Sequence, residues 1–371
     1  MVRRPSPRAY AGQWLLLLGV VAVAWLLISD AGDNLARRNM SFGFSFLGNR
    51  ANFDIPFRLV PWVESDTFGR ALLVSFLNTL LVSAMSIVAA TLLGLLVGIM
   101  RLSVNWLVRN IALAFIEFVR NTPQLVQIIF WYVAVLQTLP GPRASIVLPF
   151  GVLLNIRGFY LPNLVFTGTG SYLAMLALAL LVATPFVTRL QLGERRIGAK
   201  ALLLPLLSVL LFVLATDHVE WPTLKGFNIA GGTQVPPELV ALWAGLSIYA
   251  SAFIAEIVRG SIEAVPHGQH EAALGLGLKS WQRLFLVVLP QALRIMVPQL
   301  TSQYLNIIKS STLGAAVAYP EIFQIFAGTV MQQSSREIET IVIMMALFLG
   351  INLLTSAFMN WYNRHVALVE R

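Results

Sequence analysis

The sequence contains no cysteine, and charged residues make up only 12% of its 371 residues. Without cysteine the chain has no disulfide, no thiolate metal ligand and no redox-active thiol. The four histidines show no HExxH spacing, and we expect no bound metal. So few charged side chains cannot cover the surface of a water-soluble protein of this length, which excludes a soluble enzyme.

Apolar residues dominate instead: they make up 57% of the chain, and the mean hydropathy is +0.75. Runs of roughly 17–25 apolar residues recur, and about 20 helical residues cross the hydrocarbon of a bilayer. The sequence therefore predicts an all-α polytopic membrane protein with about eight transmembrane helices. The runs cover Ala11 to Ser29, Ala71 to Met100, Ile111 to Leu139, Tyr172 to Val187, Ala201 to Thr216, Glu238 to Val258, Gln291 to Leu313 and Ile338 to Tyr362.

The basic residues indicate the orientation of these helices. The net charge of +9 is dispersed over the connections between apolar runs, which argues against a nucleic-acid partner. Lys and Arg are more numerous on the side of the N-terminus, and this predicts cytoplasmic N- and C-termini. A basic start before an apolar run also begins a signal peptide, but no clear cleavage site follows, so we expect a retained anchor helix.

Local features divide the chain further. Gly94 and Gly98, four residues apart, predict a close helix–helix approach. The third run is interrupted at Pro123, which suggests an interfacial helix followed by a short span. We predict an anchor helix and outside loop (1–70), a first part of a core (71–137), an insertion with two extra helices (138–236) and a second part of the core (237–371).

The segment from Arg259 to Pro290 is long for a simple connection between two spans. Pro266 is suited to open a helix, and Gly277 can take the positive φ that ends it. Pro290 is placed to mark the return to the bilayer. Ser280 is placed to cap a second short helix, which carries four apolar residues on one side: Trp281, Leu284, Phe285 and Val288. We expect a helix-turn-helix across the cytoplasmic mouth, on which another protein packs.

This segment resembles the EAA loop of ABC-importer permeases. The resemblance is carried by Glu271, Ala272, Ala273, Gly277, Leu289 and Pro290. Residues 70–137 and 240–365 resemble the polar amino-acid subfamily, and the extra spans resemble its larger permeases for general L-amino acids such as glutamate, glutamine, aspartate and asparagine. The resemblance implies the type I importer permease fold and assigns the loop to contacts with an ATPase.

The resemblance also implies partners and a location. Such permeases lie in the bacterial inner membrane, in contact with lipid, and pair with a second permease subunit, here expected to be a different chain. A periplasmic amino-acid-binding protein delivers the substrate, and two ABC ATPase subunits use ATP and Mg²⁺. The chain itself is then not an enzyme and binds no cofactor.

Polar residues inside the apolar runs are candidates for the substrate pathway. Lys309 is costly in a membrane unless it faces protein or water, so it is a candidate for a substrate carboxylate or a side chain that reaches an interface. Glu256 either meets a substrate ammonium or neutralises Arg259, three residues on. Ser310 and Thr312 either bind substrate or hydrogen-bond their own helix.

Two other classes of protein are alternatives. An ion-coupled secondary amino-acid transporter would place acids or histidines near the bilayer midplane and often shows inverted repeats. A channel would usually show a pore-lining repeat or filter. The sequence shows neither pattern, which favours the ATP-driven importer.

Overall fold

The computed structural model describes residues 14–23, 25–26, 29–30, 43–191 and 200–366, and helices dominate it. The helices discussed below are α1 (Trp14–Val23), α2 (Phe68–Arg101), α3 (Trp106–Asn121), α4 (Gln124–Thr138), α5 (Thr169–Gln191), α6 (Lys200–Ala215), α7 (Pro237–Glu263), α8 (His267–Gly275), α9 (Ser280–Val317), α10 (322–334) and α11 (Glu337–Val366).

Four of these helices, α2, α7, α9 and α11, are long and apolar enough to cross a membrane, and α1, α4, α5 and α6 are shorter apolar helices. The predicted helical architecture is confirmed. The predicted interruption at Pro123 is also present, because α3 ends at Asn121 and α4 begins at Gln124. The first predicted span lies partly outside the described residues.

Small residues allow α2 and α7 to cross closely. A Cβ added to Gly94 would lie 2.5 Å from Ile254, and one added to Gly98 would lie 2.8 Å from Val258. Gly245 of α7 allows the same approach to Ile128 of α4, where an added Cβ would lie 2.5 Å from the side chain. The predicted close approach at Gly94 and Gly98 is therefore present, and its partner is α7.

Between α4 and α7 the chain forms short strands that the sequence analysis did not predict: β1 (Ile146–Val147), β2 (Leu153–Asn155), β3 (Gly158–Leu161), β4 (Asn163–Val165), β5 (His218–Glu220), β6 (Thr223–Lys225), β7 (Asn228–Ala230) and β8 (Thr233–Val235). They form an antiparallel sheet in the order β1-β2-β3-β8 and two ribbons, β4-β5 and β6-β7. Strands of two to four residues are too short to show an alternating pattern in sequence. We call this unit the β-head (residues 142–235 without α5 and α6).

The β-head joins the α5–α6 hairpin through the β4-β5 ribbon. Asp217, after α6, accepts hydrogen bonds from the backbone N–H and the hydroxyl of Thr167, before α5. These bonds hold the pKa of Asp217 below its usual value. The joint thus fixes the ribbon directly at the ends of the two helices.

Residues 43–67 cover the N-terminal end of α2 and pack on α10. Phe46 and Trp62 are buried there, in one cluster with Ile322 and Phe326. Thr67 caps α2 by accepting a hydrogen bond from the N–H of Arg70 at 3.3 Å. Residues 43–67 therefore form an ordered layer over the start of α2.

Candidate functional site: the coupling loop and a polar cleft

The loop between α7 and α9 forms the predicted first helix, α8. It begins after Pro266 and ends at Gly275, and Gly277 follows with φ +72°. The N–H of Leu278 donates to the carbonyl of Ala273 at 3.1 Å, which closes the helix end around the left-handed glycine. The interpretation of Pro266 and Gly277 is confirmed.

The second part of the loop differs from the prediction. Ser280 is the first helical residue and Lys279 precedes it as the cap position, where its N–H donates to the side chain of Gln282 at 2.9 Å. The prediction that Ser280 is the cap is wrong, because Ser280 is already the first helical residue and the side-chain oxygen of Gln282 accepts the N–H of the cap residue Lys279.

This second helix is also continuous with the following span. After a π-helical stretch, Arg283–Val288, α9 runs through Leu289 and Pro290 without a break. Proline lacks the N–H that an ordinary helix needs at this position, and the π-helical stretch changes the hydrogen-bonding register just before it. Pro290 therefore lies within one long helix, which extends from the loop into the apolar span.

The loop packs against α9. Val265, Val288 and Ala292 form a buried cluster, and Gln291 of α9 donates to the side chain of Gln269 in α8 at 3.1 Å. Ala273 is only 2% exposed. Its methyl group fits against the chain itself, and it cannot serve as an open contact for another protein without a rearrangement.

The opposite face of the loop is exposed. It presents Glu271 and Ala272 beside a set of large apolar side chains: Leu274, Leu276, Trp281, Leu284 and Phe285. We predicted that Trp281, Leu284 and Phe285 share one side with Val288, but Val288 is buried and the other three are exposed. Several exposed large apolar side chains on one loop favour a protein interaction site.

Charged residues at the C-terminal end of α7 neutralise one another. Arg259 contacts Glu256 at 2.8 Å and Glu263 at 2.5 Å, so its guanidinium bridges two carboxylates on one helix face. This geometry favours the ion-pair interpretation of Glu256. A substrate ammonium would have to compete with Arg259 for the same carboxylate.

A polar cleft of about 130 Å³ lies between α4, α7 and α9. Ser310, predicted from sequence, lines it. The other polar lining residues are Gln124, Tyr249, Gln303 and Asn306, which we did not predict. Gln303, Asn306 and Ser310 follow one another at three and four residues, the spacing of one helix face, and this signal was available in the sequence.

The remaining predicted pathway residues lie outside the cleft lining. Lys309 is exposed on the surface of α9. Thr312 donates its hydroxyl hydrogen to the carbonyl of Lys309 at 2.8 Å, which is the bond to its own helix considered above. Of the four predicted pathway residues, only Ser310 lines the cleft. Glu256, Lys309 and Thr312 do not.

A buried polar cluster joins α2 to the start of α10, and the sequence analysis missed it. Asn78 donates to the carbonyls of Phe57 and Pro320, both at 2.9 Å, and accepts the Tyr319 hydroxyl on its own carbonyl at 3.0 Å. Glu321, fully buried, caps α10 by accepting the N–H groups of the next helical residues at 2.9 and 2.6 Å. We call this set the Asn78 cluster.

Comparison with known proteins identifies the family of this chain. Residues 90–368 match the family described as the binding-protein-dependent transport system inner membrane component. The chain belongs to this family. Family membership places it among multi-pass inner-membrane permease subunits, as predicted.

Relatives extend over nearly the whole chain. The putative amino-acid ABC transporter permease protein YhdX of Escherichia coli is 44% identical over 99% of this chain and 96% of its own length. The general L-amino acid transport system permease protein AapQ of Rhizobium johnstonii is 40% identical over 99% and 94%. The glutamate/glutamine/aspartate/asparagine transport system permease protein BztB of Rhodobacter capsulatus is 36% identical over 96% and 93%.

A solved structure shares the fold. The crystal structure of an amino acid ABC transporter with histidines aligns with a TM-score of 0.50 and 18% identity, over 80% of this chain and 95% of the other. The predicted importer permease fold is thereby confirmed. None of these findings supports an ion-coupled transporter.

Proposed function

We propose that this permease subunit serves an ABC importer for polar L-amino acids, among them glutamate, glutamine, aspartate and asparagine. The identity to AapQ and BztB over nearly the whole chain is the observation that carries this proposal. BztB is named for the transport of these four amino acids and AapQ for the transport of general L-amino acids, and both matches include the residues of the β-head.

We propose that the loop between α7 and α9, which we call the coupling loop, binds an ABC ATPase through its exposed residues. The importer would contain two such ATPase subunits, which bind ATP and Mg²⁺. Glu271 and Ala272 would be contacts, whereas Ala273, Gly277, Leu289 and Pro290 would position the loop. Because α9 continues from the loop through Pro290 into its apolar span, a displacement of the loop would be transmitted directly to that helix. Since an ABC ATPase works in the cytoplasm, this proposal assigns the loop and both termini to the cytoplasmic side of the membrane.

We propose that substrate passes the polar cleft on α9. Gln303, Asn306 and Ser310 offer neutral donors and acceptors to an amino acid that carries both an ammonium and a carboxylate. Lys309, Thr312 and Glu256, which do not line the cleft, are secondary candidates along the path.

We propose a second, different permease subunit as the partner, and a periplasmic binding protein as the donor of substrate. BztC of Rhodobacter capsulatus, a permease protein of the same system as BztB, is 44% identical over 72 residues, which are 19% of this chain. Two related permeases therefore occur in that relative's system.

The test is binding-protein-dependent uptake by the reconstituted importer. Asn306→Leu should raise the KM for the transported amino acid about ten-fold or more, because a lost hydrogen bond to a charged group is worth about 1.5–3 kcal/mol. Gln299→Leu, on the same helix and outside the cleft lining, is the matched control. Lys309→Met in the same assay separates its pathway role from a structural one.

The ATPase contact is tested by substitution of the two alanines. Ala272→Trp should leave expression intact and uncouple ATP hydrolysis from uptake, whereas Ala273→Trp should also lower stability because Ala273 is buried. Ala144→Trp, at an exposed alanine of the β-head, is the control. Normal coupling in Ala272→Trp, or uptake that needs no nucleotide, would contradict the proposal.

A further inference from the structure

Arg120, at the C-terminal end of α3, lies beside the wall of the polar cleft. Its guanidinium carbon is 5.3 Å from the centre of the Phe253 ring. Phe253 lines the cleft, and its ring centre is 5.0 Å from that of Tyr249, another lining residue. Gln124, four residues after Arg120 and beyond the break at Pro123, lines the cleft as well. Arg120 therefore borders the cleft both in space and along the chain.

The guanidinium of Arg120 forms no ion pair within the described part of the chain. Glu117 lies three residues before it, a spacing that brings two side chains together on a helix surface. The Glu117 carboxylate instead accepts a hydrogen bond from the Asn121 side chain at 3.4 Å. An aromatic ring attracts a cation but accepts no ordinary hydrogen bond, so the contact with Phe253 leaves the N–H donors of the guanidinium available.

The backbone around Arg120 is fixed by a buried amide. The side chain of Gln127, in α4, donates to the carbonyls of Val119 and Thr122 at 3.0 and 3.1 Å. These carbonyls lie at the end of α3, where the helix itself supplies no more donors. The corner between α3 and α4 thus holds Arg120 in place, while its own side chain stays exposed. A charged side chain on a fixed backbone is suited to bind a ligand.

The cleft lining itself supplies no cation. Its polar residues carry no formal charge: Gln124, Tyr249, Gln303, Asn306 and Ser310. Amide and hydroxyl oxygens can accept hydrogen bonds from the ammonium of an amino acid. The carboxylate of an amino acid is bound most strongly by a guanidinium, which can donate two parallel hydrogen bonds to it. Arg120 is the complementary charge that the structure places at the edge of this cleft.

We propose that Arg120 binds the α-carboxylate of the transported amino acid at the edge of the polar cleft. The uncharged lining residues then face the ammonium and the side chain of the substrate. Glutamate, glutamine, aspartate and asparagine share the α-carboxylate, so this contact selects amino acids as a class and not one of the four. The inference rests on the proposed passage of amino acids through this cleft.

The test is equilibrium binding of radiolabelled glutamine to the purified importer complex, without the binding protein, whose own site would otherwise contribute. Glutamine has no side-chain carboxylate, so its α-carboxylate alone can meet Arg120. Arg120→Gln removes the charge, and because Arg120 is exposed, the substitution should not prevent folding. Arg109→Gln is the matched control, since Arg109 is exposed on the same helix, about 16 Å away along its axis.

A second ligand separates carboxylate binding from a structural role of Arg120. This ligand is 4-aminobutanamide, the amine left when glutamine loses its α-carboxyl group. It keeps the ammonium and the side-chain amide but offers no carboxylate. Its affinity for the wild-type and variant complexes is measured by competition with radiolabelled glutamine.

Arg120→Gln should weaken glutamine binding at least about ten-fold, the effect of a lost hydrogen bond between charged groups. It should leave the affinity for 4-aminobutanamide unchanged, and Arg109→Gln should change neither affinity. Equal glutamine affinity in the wild type and Arg120→Gln would overturn the inference and leave the proposed function intact. Equal weakening of both ligands would also overturn it, because Arg120 would then only shape the cleft. A wild-type complex that binds none of the four amino acids would contradict the proposed function, and this inference with it.

Discussion

The close crossing of α2 and α7 makes a quantitative prediction for Gly94→Ala. The new Cβ would lie 2.5 Å from Ile254 Cγ2 and 2.6 Å from Ile254 Cβ, whereas ordinary contacts lie at 3.4–4 Å. The helices must therefore separate by roughly 1 Å, and such overpacking costs about 1–3 kcal/mol. Trimming Ile254 to alanine cannot relieve the clash, because the Cβ remains.

The matched control removes the effect of helix propensity. Gly350→Ala in α11 places its Cβ where no described atom lies within 4 Å. Both substitutions gain about 1 kcal/mol because alanine favours a helix over glycine. The difference between them therefore isolates the overpacking, and Gly94→Ala should be about 1–3 kcal/mol less stable than Gly350→Ala.

Unfolding by a denaturing detergent, or the midpoint of thermal unfolding in a mild one, measures this difference on the purified subunit. The thermal midpoint should fall for Gly94→Ala and stay level or rise for Gly350→Ala. Equal stability of the two variants would show that α2 and α7 do not approach as closely as described, and the account of the core would fail.

Three further predictions concern single residues. Asn78→Leu should cost about 2–4 kcal/mol, because two buried carbonyls lose their donor, and thermal unfolding checks it; an unchanged midpoint would mean that water replaces the side chain. Phe150→Gly should raise stability in detergent by about 0.5–1 kcal/mol, since Phe150 has φ +61° and glycine adopts this left-handed conformation freely; a loss would show that the turn is not strained. Gly277→Ala should strain the end of α8 by about 1–2 kcal/mol and lower uptake per ATP hydrolysed, whereas Gly275→Ala, which has negative φ, should not; equal uptake by both variants would contradict the geometry of the loop.

The sequence carried the coarse features of the coupling loop but not its faces. Pro266 and Gly277 act through their own backbone chemistry, so their positions alone located the ends of α8. The burial of Ala273 and the exposure of Ala272 depend on where α9 lies. Whether Ser280 or Lys279 occupies the cap position depended on side-chain geometry, which no pattern of residue types specifies.

The polar cleft shows the same division. The spacing of Gln303, Asn306 and Ser310 was readable as one helix face, whereas Gln124 and Tyr249 join them only because α4 and α7 pack against α9. The Asn78 cluster had no sequence signal, since Asn78 lies 241 residues from Tyr319 and 242 residues from Pro320.

The sequence by itself determined that this chain is a helical membrane protein, that Pro123 interrupts its third apolar run and where α8 begins and ends. Those features follow from local composition, helix periodicity and the backbone preferences of single proline and glycine residues. The tertiary structure alone decided which polar side chains meet, which alanine is accessible and that the short strands between α4 and α7 form a β-head. These depend on contacts between residues distant in sequence, whose energies no local pattern records.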